Sequence, residues 1–298
     1  MLIMHTTSPA PLPSTPWEAA VSHLHQAQRL ASAHPLDAEL LCRDGLAVLL
    51  EIAPEIPEVL EGWMLLAELR FRDGDLGECE SVLREVMYRL GSALHLDEDG
   101  RRMQVQALQR LGLVHAIRGE LAQAAPTLRQ ARLRARRQVG PAGPEGAQCL
   151  TARAFVSRRA GHYDLAASQL REALRANTGP SLAAQLHRNL ARLELDRGRP
   201  ERGVPSARMA LALMHREGED AGAMQVLLAE LLLATGETGE AEQLLQEVSP
   251  QLEGGALRDA CLALAQICWQ RGEAVQAELL EGRAGWGLGM GVSATVSG

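Results

Sequence analysis

Along most of the chain, apolar residues recur at steps of three and four, and polar residues fill the intervals. In LGLVHAIRGELAQAAPTLRQA (111–131) the steps Leu121, Ala124, Leu128 and Ala131 trace one face of a helix with 3.6 residues per turn, and a glycine separates this segment from a similar one before it. The arrangement returns. Aligned on Leu, a small residue, six further residues and Gly, the chain gives LAELRFRDG (66–74), LGLVHAIRG (111–119), LARLELDRG (190–198), LAELLLATG (228–236) and LAQICWQRG (264–272). A sixth copy, RAFVSRRAG (153–161), has Arg153 in place of the leading Leu. Five residues after each Gly stands another small residue: Cys79, Ala124, Ala166, Gly203, Ala241 or Ala277. Nine after it stands Leu83, Leu128, Leu170, Ala207 or Leu245, with Glu281 in the last copy, and three further on Val86, Ala131, Ala173, Ala210, Val248 or Ala284.

These intervals predict two amphipathic helices folded into a hairpin. The Gly ends the first helix in a left-handed conformation that costs least for a residue without Cβ. Small residues on both helices, such as Gly112 and Ala124, then face each other and let the two backbones approach while leucines fill the flanks. Two prolines break the simple pattern. Pro126 and Pro205 each lie seven residues after a turn glycine, where a missing N–H and a ring clash predict a late helix start or a bend.

The repeated unit resembles the tetratricopeptide repeat, whose helix pairs carry W-x-x-L-G near the start, a Gly turn and then Ala-x-x-x-Phe. Trp63, three residues before Leu66, keeps the leading tryptophan in the pair that turns at Gly74. The turn glycines Gly74, Gly119, Gly161, Gly198, Gly236 and Gly272 are 45, 42, 37, 38 and 36 residues apart, against 34 in the family repeat. Longer helices or loops follow, similar to the extended repeats of kinesin light chain and of bacterial peptide-sensing and transcription regulators. The resemblance implies an all-α fold: a right-handed α-solenoid of about seven helix-turn-helix repeats. Its expected organisation is a flexible N-terminus over 1–15, helical repeats over 16–284 with a degenerate first pair at 17–55 interrupted by His34-Pro35, and a Gly-rich flexible tail over 285–298. Trp286 in that tail is expected to pack back on the last helix. HLDEDG (95–100) and VGPAGPEG (139–146) read as connectors, and Asp97, Glu98 and Asp99 lack the alternating ligand spacing of a calcium loop.

Composition agrees with helices: 46% of the 298 residues are hydrophobic, but only 3% are aromatic. Net charge is −7, and all 30 basic residues are Arg. That balance weighs against nucleic-acid binding, and the absence of Lys excludes Schiff-base and phosphate-loop lysine chemistry. The five cysteines, Cys42, Cys79, Cys149, Cys261 and Cys268, form no C-x-x-C pair and read as buried thiols. The N-terminal stretch has neither a basic leader nor a long apolar run, and no segment approaches the length of a membrane span, so a cytoplasmic protein is expected.

No catalytic set is visible: there is no phosphate loop, no G-x-S-x-G, and no nucleophile with a base, so the chain reads as a non-enzyme without cofactor or metal. In helical solenoids the binding face is lined by the first helix of each pair. Positions two before, two after, and five and six after the recurring Leu give Thr151, Phe155, Arg158 and Arg159 in the fourth pair and Arg188, Arg192, Leu195 and Asp196 in the fifth. The flanking pairs supply Met64, Phe71, Gln109, Ile117, Leu233, Gln266 and Trp269. Arg158, Arg159, Arg188 and Arg192, with Phe155, therefore form a candidate site for a peptide carboxylate or acidic side chains, held by bidentate Arg contacts. Family members that clamp a carboxylate use Lys and Asn, for which Arg188 and Asn189 are a partial match. A second basic stripe, Arg129, Arg132 and Arg136, reads as a solvated face. The expected function is a scaffold or adaptor for a protein or peptide partner, with homo-oligomerisation left open. The alternatives are a ligand-sensing module acting on a transcription regulator, an RNA-binding helical repeat, and a hydrolase or transferase on the same scaffold.

Overall fold

In a computed structural model of the chain, the glycine at the centre of every aligned copy adopts a left-handed backbone: φ is 85° at Gly74, 84° at Gly119, 76° at Gly161, 71° at Gly198, 89° at Gly236 and 80° at Gly272. No atom lies within 4 Å of where a Cβ would stand at any of the six, so the torsion itself selects glycine, not crowding. At five of them the amide after the glycine reaches back to the carbonyl five residues earlier, as Glu237 N–H does to Leu232 at 2.8 Å and His162 N–H to Ser157 at 2.8 Å. This closing bond satisfies a carbonyl that the helix leaves open at its C-terminus.

The structure describes residues 15–92, 96–139, 143–176 and 179–286. Among them are fourteen α-helices and no strand, paired in sequence: α1 (Pro16–Leu30) with α2 (Pro35–Ile52), α3 (Pro57–Asp73) with α4 (Leu76–Ser92), α5 (Glu98–Ile117) with α6 (Leu121–Arg134), α7 (Pro144–Arg159) with α8 (Tyr163–Leu174), α9 (Pro180–Asp196) with α10 (Pro200–Glu217), α11 (Gly222–Thr235) with α12 (Thr238–Val248), and α13 (Gly254–Arg271) with α14 (Ala274–Trp286). The chain divides into two units, Met1–Pro141 and Ala142–Gly298. The first unit holds the first three pairs around one core that includes Leu46, Leu49, Leu66, Leu83 and Val86. The second holds the other four, with one core around Leu170, Leu186 and Leu190 and another around Leu228, Leu231, Leu232 and Leu245.

The small residues stand where the helix backbones come closest. A Cβ added at Gly112 would lie 2.5 Å from Leu128 Cγ and 3.5 Å from the Ala124 carbonyl oxygen. One added at Gly203 would lie 2.6 Å from Leu231 Cδ2 and 3.0 Å from the Ala191 carbonyl oxygen. Two cysteines use the same kind of position. The Cys79 thiol donates to the Ala67 carbonyl at 3.3 Å, and the Cys42 thiol to the Gly62 carbonyl at 3.2 Å. Burial pushes both thiols up to about 12.

Several sequence readings are corrected. α6 and α10 run through Pro126 and Pro205 from starts at Leu121 and Pro200, so neither helix begins late. Ala122 and Glu201, whose carbonyls would have accepted the missing amides, are both exposed, and water can take the place of the lost bond. The His34-Pro35 pair does not interrupt a helix. His34 stands at the N-cap position of α2 and Pro35 is its first residue, as Pro16, Pro57, Pro144, Pro180 and Pro200 are of theirs, where proline's missing N–H would be unused anyway. The acidic run at 97–99 is not a connector: the Asp97 side chain accepts from Gly100 N–H at 2.7 Å and caps α5, whose first turn contains Glu98 and Asp99. Likewise α7 begins at Pro144, inside the stretch read as a loop. The wide glycine spacings come from the 20-residue α5 and from a five-residue π-helical turn, Ala135–Val139, that prolongs α6. α14 reaches Trp286, and the expected tail beyond it and the expected N-terminal arm before Thr15 lie outside the described residues, as does the Trp286 side chain.

Two outcomes follow. Gly236→Ala places a Cβ on a left-handed residue and lowers the unfolding free energy in urea by about 1–2 kcal/mol, whereas Gly239→Ala, in open space at the start of α12, leaves it unchanged or raises it by up to about 1 kcal/mol. In a thiol count with Ellman's reagent at neutral pH, Cys42 and Cys79 stay unlabelled in the native protein, and all five thiols react in denaturant.

Candidate functional site

In the second unit the first helices of the pairs, α7, α9, α11 and α13, carry every residue of the candidate carboxylate site and a groove beside it. α9 is amphipathic: Leu186, Leu190 and Leu193 are buried, and Arg188, Arg192 and Asp196 are exposed on its other side. The packing that fixes the leucines therefore projects the charged groups outward.

The arginines do not stand free. Arg158 Nη1 donates to Asp196 Oδ2 at 2.5 Å. Arg192 Nη1 donates to Glu230 Oε2 at 2.8 Å, and its Nε lies 3.6 Å from Asp196 Oδ1. A ladder thus runs Arg158, Asp196, Arg192, Glu230 across α7, α9 and α11. Phe155 lies beneath both arginines of its own helix, its ring centroid 5.7 Å from Arg158 Cζ and 5.9 Å from Arg159 Cζ. Arg188 is exposed and has no ion pair among the described residues. Of the four arginines, Arg158 and Arg192 are thus committed to carboxylates of the protein, and Arg159 and Arg188 remain available.

Next to the ladder, α9, α11 and α13 enclose a groove of about 350 Å³, lined by Leu195, Glu230, Leu233, Asp259, Leu262 and Gln266 among others, with no cationic side chain in its lining. Leu262 is 42% exposed there. Burial raises the Glu230 carboxyl above the usual carboxylate range against the pull of Arg192, and the negative charges of Asp259 and Asp196 push in the same direction as burial. The groove is apolar and acidic, within the range of about 300–1,000 Å³ that small ligands and side chains occupy in binding sites.

Leu195, Leu233 and Gln266 come together here, as the offsets from the recurring Leu place them. Trp269, on the same helix as Gln266, donates its indole N–H to Glu281 of α14 at 2.8 Å. Phe71, in the first unit, carries Arg110 over its ring at 5.5 Å. The basic stripe on α6 is broken by the π-helical turn, which takes Arg136 out of the spacing shared by Arg129 and Arg132. Sequence reasoning missed Glu230 and Asp259. Glu230 was within reach: it stands two residues after Leu228, as Arg192 stands two after Leu190, and the two are 38 residues apart like Gly198 and Gly236. Opposite charges one repeat apart at one offset signal a pair between neighbouring first helices. Asp259 lies five residues before Leu264, at none of the offsets considered.

Among the described residues, no three or more His, Cys, Asp or Glu side chains are placed to hold a metal ion, and no helix is long and apolar enough to cross a membrane. Because the ladder is partly solvent-accessible, a double-mutant cycle with Arg192→Gln and Glu230→Gln gives a coupling of about 0.2–1 kcal/mol in 50 mM NaCl, smaller in 500 mM.

No curated protein matches the sequence. The fold is similar to that of a tetratricopeptide repeat protein from Parabacteroides merdae (16% identity over 93% of this chain and 94% of that one, TM-score 0.58). It is also similar to apo RapI (11% identity, 91% and 99%, TM-score 0.67) and to the Rap conjugation gene regulator of plasmid pLS20 in complex with the Phr* peptide (12% identity, 94% and 76%, TM-score 0.64). Tetratricopeptide repeat profiles match residues 104–178 and, separately, 184–209, 223–247 and 259–278. The matched stretches lie on helix pairs of the geometry described above, and over these residues the chain carries tetratricopeptide repeats.

Proposed function

We propose that this protein is a non-catalytic binding module whose second unit takes a peptide segment of a partner in the groove between α9, α11 and α13. The observation that carries the reading is a concave, partly apolar site walled by three consecutive first helices, where Leu262 is exposed and Leu195 and Leu233, packed on the core, still line the opening. The structural likeness to a Rap regulator solved with a bound peptide supports the same class of ligand. A cytoplasmic setting goes with thiols such as Cys42 and Cys79, which are buried and form no disulfide. Adaptor and ligand sensor share this groove and differ only in what the occupied module touches next.

The carboxylate clamp at Arg158, Arg159, Arg188, Arg192 and Phe155 is the second reading. Exposed Arg188, one helical turn before Arg192, favours it, and the commitment of Arg158 and Arg192 to Asp196 and Glu230 weighs against it. Nucleic acid is a poor partner for a groove whose lining contributes carboxylates only.

Selection from a random peptide library on the immobilised full chain tests the proposal. Enriched peptides should lose binding by about tenfold or more to Leu262→Arg, which fills the groove from an exposed position, and should be unaffected by Leu165→Arg on the exposed face of α8. Enriched peptides indifferent to Leu262→Arg contradict it.

A further inference from the structure

Charge complementarity defines the occupant of the groove more narrowly, on the premise that the groove is the binding face. Three carboxylates, Asp196, Glu230 and Asp259, gather along α9, α11 and α13, and the ladder supplies two cations, Arg158 and Arg192. The remaining neighbour, Arg258, has its Nε 4.0 Å from Asp259 Oδ1, at the outer limit of an ion pair, and its side chain is 44% exposed. The Asp259 charge is thus only marginally paired, where the rest of the wall beside Glu230 is leucine, alanine and Gln266. Within a partly dehydrated groove, such a charge is stabilised by a cation that arrives with its own apolar stem.

We propose that the groove binds a peptide segment in which an aliphatic side chain stands beside a lysine or arginine, the aliphatic group resting on Leu195, Leu233 and Leu262 and the cation meeting Asp259 and Glu230. The elevated Glu230 carboxyl fits this, because an entering cation offsets both the burial of that group and its repulsion from Asp259. Residues 1–14 and 287–298 of the chain contain no Lys or Arg, so these stretches cannot supply such a side chain. An acidic peptide, the ligand of the carboxylate clamp, would instead face two carboxylates in the groove.

Two labelled pools of N-acetylated, C-amidated heptapeptides provide the test, one combining Lys and Arg with Leu, Ile and Phe, the other Asp and Glu with the same apolar residues. Blocking the ends removes terminal charges as a source of binding. By fluorescence anisotropy on the full chain, the basic pool is expected to bind about tenfold or more tighter than the acidic one, and to weaken between 50 and 500 mM NaCl. Asp259→Asn leaves the Arg192–Glu230 pair in place and is expected to weaken the basic pool by about three- to tenfold; Glu230→Gln should do the same. Acidic peptides bound as tightly as basic ones, or basic binding indifferent to Asp259→Asn, would overturn the assignment. If both pools bind alike and Leu262→Arg abolishes both, the groove remains the binding face and only the charge preference falls. If neither pool binds, both readings fall. A dimer in sedimentation without peptide that Leu262→Arg turns into a monomer would place a second copy in the groove and overturn the proposal.

Discussion

The distance at which paired helices can approach governs the rest of this structure. At Gly112 and Gly203 a single added carbon would sit 2.5 and 2.6 Å from a leucine of a facing helix, so the packing exists only because those positions have no side chain. Close approach in turn requires a short connection. The left-handed glycine that follows the first helix in six of the seven pairs provides one, at five of them with a reverse hydrogen bond that closes the helix end. Proline at the first position of six helices contributes the complementary signal at the other end. Turn, cap and small residue thus agree at every level, which is how a sequence short of aromatic residues specifies one packing.

Function follows from what that packing leaves unused. In the second unit, α9 buries one side and α11 most of its surface, and what stays accessible includes Arg192 and parts of Leu195, Glu230 and Leu233 at the edge of the core. Cations and carboxylates at equivalent offsets of neighbouring repeats then meet across first helices, as Arg192 and Glu230 do at 2.8 Å. The ladder neutralises arginines that would otherwise invite an anion, and at its far end it leaves an apolar groove with an acidic wall.

How much of this the sequence revealed depends on the range of the interaction. The hairpins, their turns and their small-residue contacts were legible because each is a local pattern repeated six times. Leu195, Leu233 and Gln266 were placed in the groove by the same periodicity. The course of α6 and α10 through Pro126 and Pro205 was not legible, since it depends on whether the orphaned carbonyls face water. Neither was the state of the arginines. Their spacing along one helix suggested a shared ligand, but their partners come from other helices, and pairing between repeats is read only by comparing offsets across copies. Asp259, outside every counted offset, reaches the groove because α13 lies next to α11, a fact of tertiary packing.

The account places ligand contact on the first helices of the second unit. Backbone amide chemical-shift mapping of the full chain with a groove-binding peptide addresses this most directly. The expected perturbations cluster around Leu195, Leu233 and Leu262, on α9, α11 and α13, and leave α10, α12 and α14 unmoved. Shifts concentrated on those second helices, or within residues 15–139, would contradict it.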